Sequence, residues 1–148
     1  MRIEEEIDGH FRNEYHKGII NLIFTSNQLH YSFIQYLKNH GLTSQQYNIL
    51  RVLRGFGSVP RSLDFLKKRM LDKKPDMSRV VDKLYKRGLV NRGENSNDRR
   101  LKDISITKKG LELLAQMDDC EKQVDTLLKN LSPDEVETLN SLLDKARG

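Results

Sequence analysis

Residues 77–107, MSRVVDKLYKRGLVNRGENSNDRRLKDISIT, constrain the fold more than any other part of the chain. Met77, Val80, Val81 and Leu84 recur at the spacing of one helical face, while Ser78, Arg79, Asp82, Lys83 and Lys86 occupy the other. The apolar side must pack inward and the charged side must face water or a partner. Gly88 stops this helix, predicted over about 75–88, with Pro75 suited to its first turn. Leu89–Arg92 then starts a strand, and Asp103–Thr107, alternating polar and apolar, returns antiparallel to it. The loop between them is a polar tip carrying the adjacent arginines Arg99 and Arg100.

Around this centre the pattern is helical. Ile3, Ile7, Phe11, Tyr15, Ile19 and Ile23, followed by Leu29, Phe33, Ile34 and Leu37, predict a long first helix over about 10–39 with an acidic lead-in, stopped by Gly41. Thr43-Ser44-Gln45-Gln46 has the form of a capping box and opens a short helix through Tyr47, Leu50 and Leu53 to Gly55. A third helix is expected over about 61–71. From Lys108, Leu111, Leu114, Met117, Val124, Leu128 and Leu131 predict another long helix. Ser132-Pro133-Asp134-Glu135 caps a last one. The fold class is mainly α with a small β-hairpin, in a single domain of 148 residues.

Charge is concentrated rather than spread. Residues 61–102 hold 14 Lys and Arg against six Asp and Glu, a local charge of +8; the remainder holds 12 against 15. Such a basic segment attracts polyanions through counterion release. A short helix, a turn and a two-faced basic helix running into a hairpin is the layout of a winged helix-turn-helix. In that layout the second helix offers its polar side to the major groove, and the hairpin tip lies where arginine enters the minor groove. The expected lobe is 41–107. The apolar stripes of 1–40 and 108–148 exceed what a small core covers, and burying them against a second copy predicts a two-fold homodimer.

Three spaced motifs carry a family resemblance. GLTSQQYNIL, MSRVVDKLYKRGLVNR and NDRR followed by ISITKKG resemble, in order, the second helix, the recognition helix with its first wing strand, and the wing of the MarR family of bacterial transcription regulators. The resemblance implies a dimeric repressor on pseudo-palindromic double-stranded DNA, released by a small aromatic effector. It also implies that Asp98 and Arg100 anchor the wing, with Arg100 reaching the minor groove. Arg99, and Ser78, Arg79 and Lys83 on the helix, join them as candidate DNA contacts, with Lys73 and Lys74 at the helix entrance and Arg92 on the strand. Arg92 has a second reading, covering the strand edge with its stem. Asp76 and Asp82 are awkward beside an anion; either orients a basic neighbour or accepts from cytosine. Phe24, Tyr31, Tyr36 and Tyr47 are the candidate effector-lining residues, with plain core packing as the alternative.

Other classes find little support. No Gly-rich phosphate loop, Ser/His/Asp grouping or metal-ligand motif is present, so no catalytic residue, cofactor or metal is expected. His10, His16, His30 and His40 are scattered, and the lone Cys120 excludes an internal disulfide and reads as a small buried hydrophobe. No apolar run approaches the roughly 18–20 residues of a membrane span, and the acidic start lacks the core of a signal peptide; the chain reads as cytoplasmic. The rival function is a winged-helix module that docks an acidic protein.

Overall fold

The computed structural model describes residues 1–57, 59–73 and 76–148, with Cys120 described by its backbone alone. The chain divides into two compact units, Met1–Gln35 and Tyr36–Gly148. The expected lobe of 41–107 lies within the second of them.

In the first unit a single turn, α1 (Ile3–Glu6), precedes the long α2 (Glu14–Lys38), which continues into the second unit. The long helix starts four residues later than expected, because Asn13 takes the cap position and its Oδ1 accepts the His16 N–H at 2.9 Å. Lys17 pairs with Glu4 at 2.5 Å, tying the leading turn to the long helix and holding the Glu4 carboxyl below its usual range. Tyr15, Ile19, Leu22 and Ile23 form an apolar stripe on α2 that is exposed in the single chain.

In the second unit α2 ends in a Schellman turn. Gly41 adopts φ +66°, and the Leu42 N–H reaches the Leu37 carbonyl at 3.3 Å. The Thr43 capping box forms as expected, with Gln46 N–H on Thr43 Oγ1 at 3.2 Å and Thr43 N–H on Gln46 Oε1 at 3.1 Å. It opens α3 (Ser44–Gly55), whose Ile49, Leu50 and Leu53 are fully buried.

The expected third helix is shorter than the sequence suggests. Arg61–Ser62 is instead a strand, β1, and Ser62 caps α4 (Leu63–Lys68) by accepting the Phe65 N–H at 3.1 Å. The helix α5 covers Met77–Lys86 rather than 75–88, because Asp76 is its cap and Gly88, at φ +71°, its stop. Pro75 lies outside the described residues. Strands β2 (Val90–Glu94) and β3 (Lys102–Ile106) form the expected hairpin, but β1 joins its far edge. The sheet has three antiparallel strands in the order β1-β3-β2, with Arg61 and Arg92 both opposite Ile104.

Thr107 caps α6 (Lys108–Gln116) and also donates to the Gly88 carbonyl at 2.7 Å, joining the end of α5 to the start of α6. Gly110 makes this junction possible: a Cβ there would lie 2.4 Å from the Leu89 carbonyl oxygen and 2.7 Å from Ile106 Cγ1. The long helix expected from Lys108 is broken at the buried Met117. It continues as α7 (Asp118–Asp125) and a 3-10 turn, Thr126–Leu128. After the break Asp118 and Glu121 meet the basic side of α3. Arg54 lies 3.3 Å from each, and Glu121 also accepts from the Tyr47 hydroxyl at 3.1 Å. The second capping box, Ser132 with Glu135, starts α8 (Pro133–Arg147) as the sequence expects.

Candidate nucleic-acid interface

The helix α5 separates its two faces as its spacing dictates. Met77, Val81 and Leu84 are buried, and Ser78, Arg79 and Lys83 are exposed on the opposite side. Asp76 Oδ1 accepts the Arg79 N–H at 3.3 Å, so this exposed carboxylate caps the helix. Lys73 donates to the Lys68 carbonyl at 2.8 Å, completing the end of α4 with its charge still exposed. Lys74 lies outside the described residues.

Beside the start of α5 are two open clefts. One, of about 320 Å³, is lined by Asp64, Lys67, Lys68 and Lys73; the other, of about 240 Å³, by Leu63, Asp64, Lys67, Asp76, Met77 and Ser78. Lys67 and Lys68 carry no signal in the sequence beyond their charge; the packing of α4 beside α5 brings Lys67 into one cleft with Ser78, and Lys68 lines the other with Lys73.

The wing tip is closed by side chains. Asn95 Oδ1 accepts the N–H groups of Asn97 at 2.8 Å and Asp98 at 3.1 Å, an Asx turn, and its amide donates to both oxygens of Asp103 at 3.1 and 3.2 Å. Asp98 in turn accepts from the Arg100 backbone at 3.0 Å and from its Nε at 3.2 Å. This charge-assisted pair restricts the Arg100 guanidinium while leaving its side chain 91% exposed. Arg99 is exposed as well.

Arg92 sits differently. Its side chain is only 28% exposed; Nη1 donates to Asp82 Oδ1 at 3.3 Å, and the guanidinium lies 4.1 Å from the centre of the Tyr85 ring. Asp82 pairs through its other oxygen with Lys86 at 3.0 Å, and these two cations hold its carboxyl below the usual range, Lys86 contributing most. Arg87 reaches back to the Gly41 carbonyl at 2.6 Å, and Lys109 donates to the Arg87 carbonyl at 2.9 Å. Both reinforce the joint between α5 and its neighbours.

The four aromatic candidates are divided between the units: Phe24 and Tyr31 belong to the first, Tyr36 and Tyr47 to the second. Tyr31 is 66% exposed and Phe24 and Tyr36 are half-buried. Tyr47 is only 4% exposed, and burial together with its bond to Glu121 raises its hydroxyl pKa to about 12. Among the described residues no three His, Cys, Asp or Glu side chains are grouped to hold a metal ion, and no helix is long and apolar enough to cross a membrane.

The MarR family model matches residues 42–102, from the start of α3 to the wing. The chain is 30% identical over 112 residues to the HTH-type transcriptional regulator MhqR of Bacillus subtilis (strain 168), covering 75% of this chain and 76% of that regulator. Its fold is similar to a cysteine-to-serine mutant of MarR from E. coli complexed with operator DNA, with TM-score 0.80, 26% identity, and 93% and 99% of the two chains covered. It is also similar to an organohalide-sensing RdhR transcriptional regulator in its 2,4-dichlorophenol-bound form, with TM-score 0.81, 18% identity, and 94% and 85% covered.

Proposed function

The chain belongs to the MarR family, and on that premise we propose that it is a homodimeric, DNA-binding transcription regulator that represses by occupying a pseudo-palindromic operator. The exposed face of α5 enters the major groove, where Ser78, Arg79 and Lys83 meet base edges and phosphates. The wing lies along the neighbouring minor groove with Arg100 in it, oriented by Asp98, and Arg99 beside it. Lys73, with Lys67 and Lys68, follows the phosphate backbone at the helix entrance, and Lys74 belongs to the same basic run in sequence.

One observation carries this reading. The exposed face of α5 and the arginine-bearing tip belong to one continuous piece of structure, since β2 leaves the end of α5 and its Arg92 lies back against that helix. Dimerisation falls to the apolar stripe of α2, where Tyr15, Ile19, Leu22 and Ile23 are open, together with the C-terminal helices. A cytoplasmic location accompanies such a role.

Release by a small aromatic molecule is part of the same proposal; its candidate contacts are Phe24 and Tyr31 in the first unit and, taken separately, Tyr36 and Tyr47 in the second. The RdhR neighbour holds a chlorinated phenol, and phenols of that kind are the first compounds to titrate against the protein–DNA complex. Selection of bound sites from random DNA tests the core of the proposal. Recovery of an inverted repeat supports it, and recovery of unrelated sequences with uniform affinity opposes it.

A further inference from the structure

Asp82 and Arg92 both lie where they could meet DNA, yet they are bound to each other. Asp82, Tyr85 and Lys86 stand three and four residues apart and therefore share one side of α5. Arg92, the third residue of β2, reaches across to that side. It places one nitrogen on Asp82 at 3.3 Å and its flat guanidinium 4.1 Å from the Tyr85 ring centre. A planar cation held by a carboxylate and an aromatic face is fixed in both distance and orientation, which a lysine cannot reproduce. Across the sheet Arg92 is registered opposite Ile104, four residues from Arg100, so the root of the wing moves with Arg92.

We propose that Asp82, Arg92 and Tyr85 form a brace that sets the wing against the recognition helix, and that Asp82 and Arg92 act as positioning residues rather than DNA contacts. This rests on the regulator reading above. The brace supplies register: a site that reads two grooves at once needs the separation of its two readers fixed before binding, or part of the binding free energy goes into ordering them. It also accounts for an acidic residue on a helix face that meets a polyanion. Asp82 is neutralised by Arg92 and Lys86, and what it adds is geometry.

The sign of one substitution separates the alternatives. If Asp82 only opposes the DNA charge, Asp82→Asn should tighten operator binding; the brace requires that it weaken it, by about tenfold, comparable to a mismatched base pair. Anisotropy titrations of the full-length protein on operator and scrambled duplexes, across a salt series, make the test, with wild type, Asp82→Asn, Arg92→Gln, the double variant and Arg92→Lys. The brace gives weaker operator binding in both single variants, little further loss in the double variant, and nearly unchanged affinity for scrambled DNA. Arg92→Lys fails to restore binding, and the salt slope of every variant stays at the wild-type value. A phosphate contact at Arg92 gives the opposite: rescue by lysine, equal losses on both duplexes, and a slope shallower by about 0.9 for each phosphate no longer neutralised. That pattern, or tighter binding by Asp82→Asn, would overturn the brace while leaving the regulator reading intact. A wild-type protein that does not distinguish the duplexes would overturn the regulator reading and the brace with it.

Discussion

Replacing Arg100 with alanine separates binding from folding at a single side chain. The guanidinium is 91% exposed and is paired with Asp98 at 3.2 Å in a short surface turn. An exposed ion pair of this kind contributes about 0.2–1 kcal/mol. The backbone bond from the Arg100 N–H to Asp98 Oδ1, at 3.0 Å, does not depend on the side chain and should remain. For a chain of this size 1 kcal/mol corresponds to roughly 2–4 °C in Tm, so thermal unfolding followed by circular dichroism should shift by no more than about 4 °C. Binding should respond much more. A dimer loses two groove-facing cations, which flattens the slope of log K against log salt by about 1.8. At about 1–3 kcal/mol for each interaction of groove-recognition strength, losing both weakens operator binding by roughly 1.5 to 4 orders of magnitude. Fluorescence anisotropy on one operator across a salt series reads both quantities. An unchanged Kd and slope would remove the wing from recognition. A collapse of Tm would show that Arg100 belongs to the fold and that its apparent role in binding is indirect.

Other expectations follow from particular contacts. Gly110→Ala drives a Cβ into the Leu89 carbonyl and Ile106, and this overpacking should cost about 1–3 kcal/mol in chemical denaturation; wild-type stability would contradict the close approach. Tyr47 ionises near 12 in the folded state, against about 10 when unfolded. Its contribution is therefore complete below pH 10 and is lost as pH rises toward 12. Tyr47→Phe should remove that part of the alkaline loss, and ultraviolet titration should show a late-ionising tyrosine in the wild type that is missing from the variant. Glu121→Gln removes the charge shared by Arg51, Arg54 and Tyr47, at 3.6, 3.3 and 3.1 Å. It should lower stability by about 1 kcal/mol, and no loss would mean that the contact between α3 and α7 is incidental.

Local chemistry makes much of this legible in the sequence. The capping boxes at Thr43 and Ser132 and the glycine stops at Gly41 and Gly88 each involve residues within a few positions of one another, so their spacing announces them. The alternation of Ile104 and Ile106 marks the wing in the same way. What the sequence hides depends on distance or brevity. Two residues, Arg61 and Ser62, have no periodicity to betray a strand, and β1 exists only because β3 offers an open edge. The apolar repeat runs through Met117 without a fault, while the partners of Asp118 and Glu121 beyond the break lie 64 and 67 residues away at Arg54. Within the candidate site, the pairing of Asp98 with Arg100 is legible from adjacency. Arg92 is not, since its two partners are on a helix on the other side of a turn.

The central claim is that α5 and the wing of two protomers meet one duplex together. Hydroxyl-radical footprinting of the region upstream of the gene measures that most directly. Two protected half-sites, related by a dyad and centred about 10 base pairs apart on one face of the helix, are the expected result. Weak protection without symmetry, spread evenly along the fragment, would contradict it.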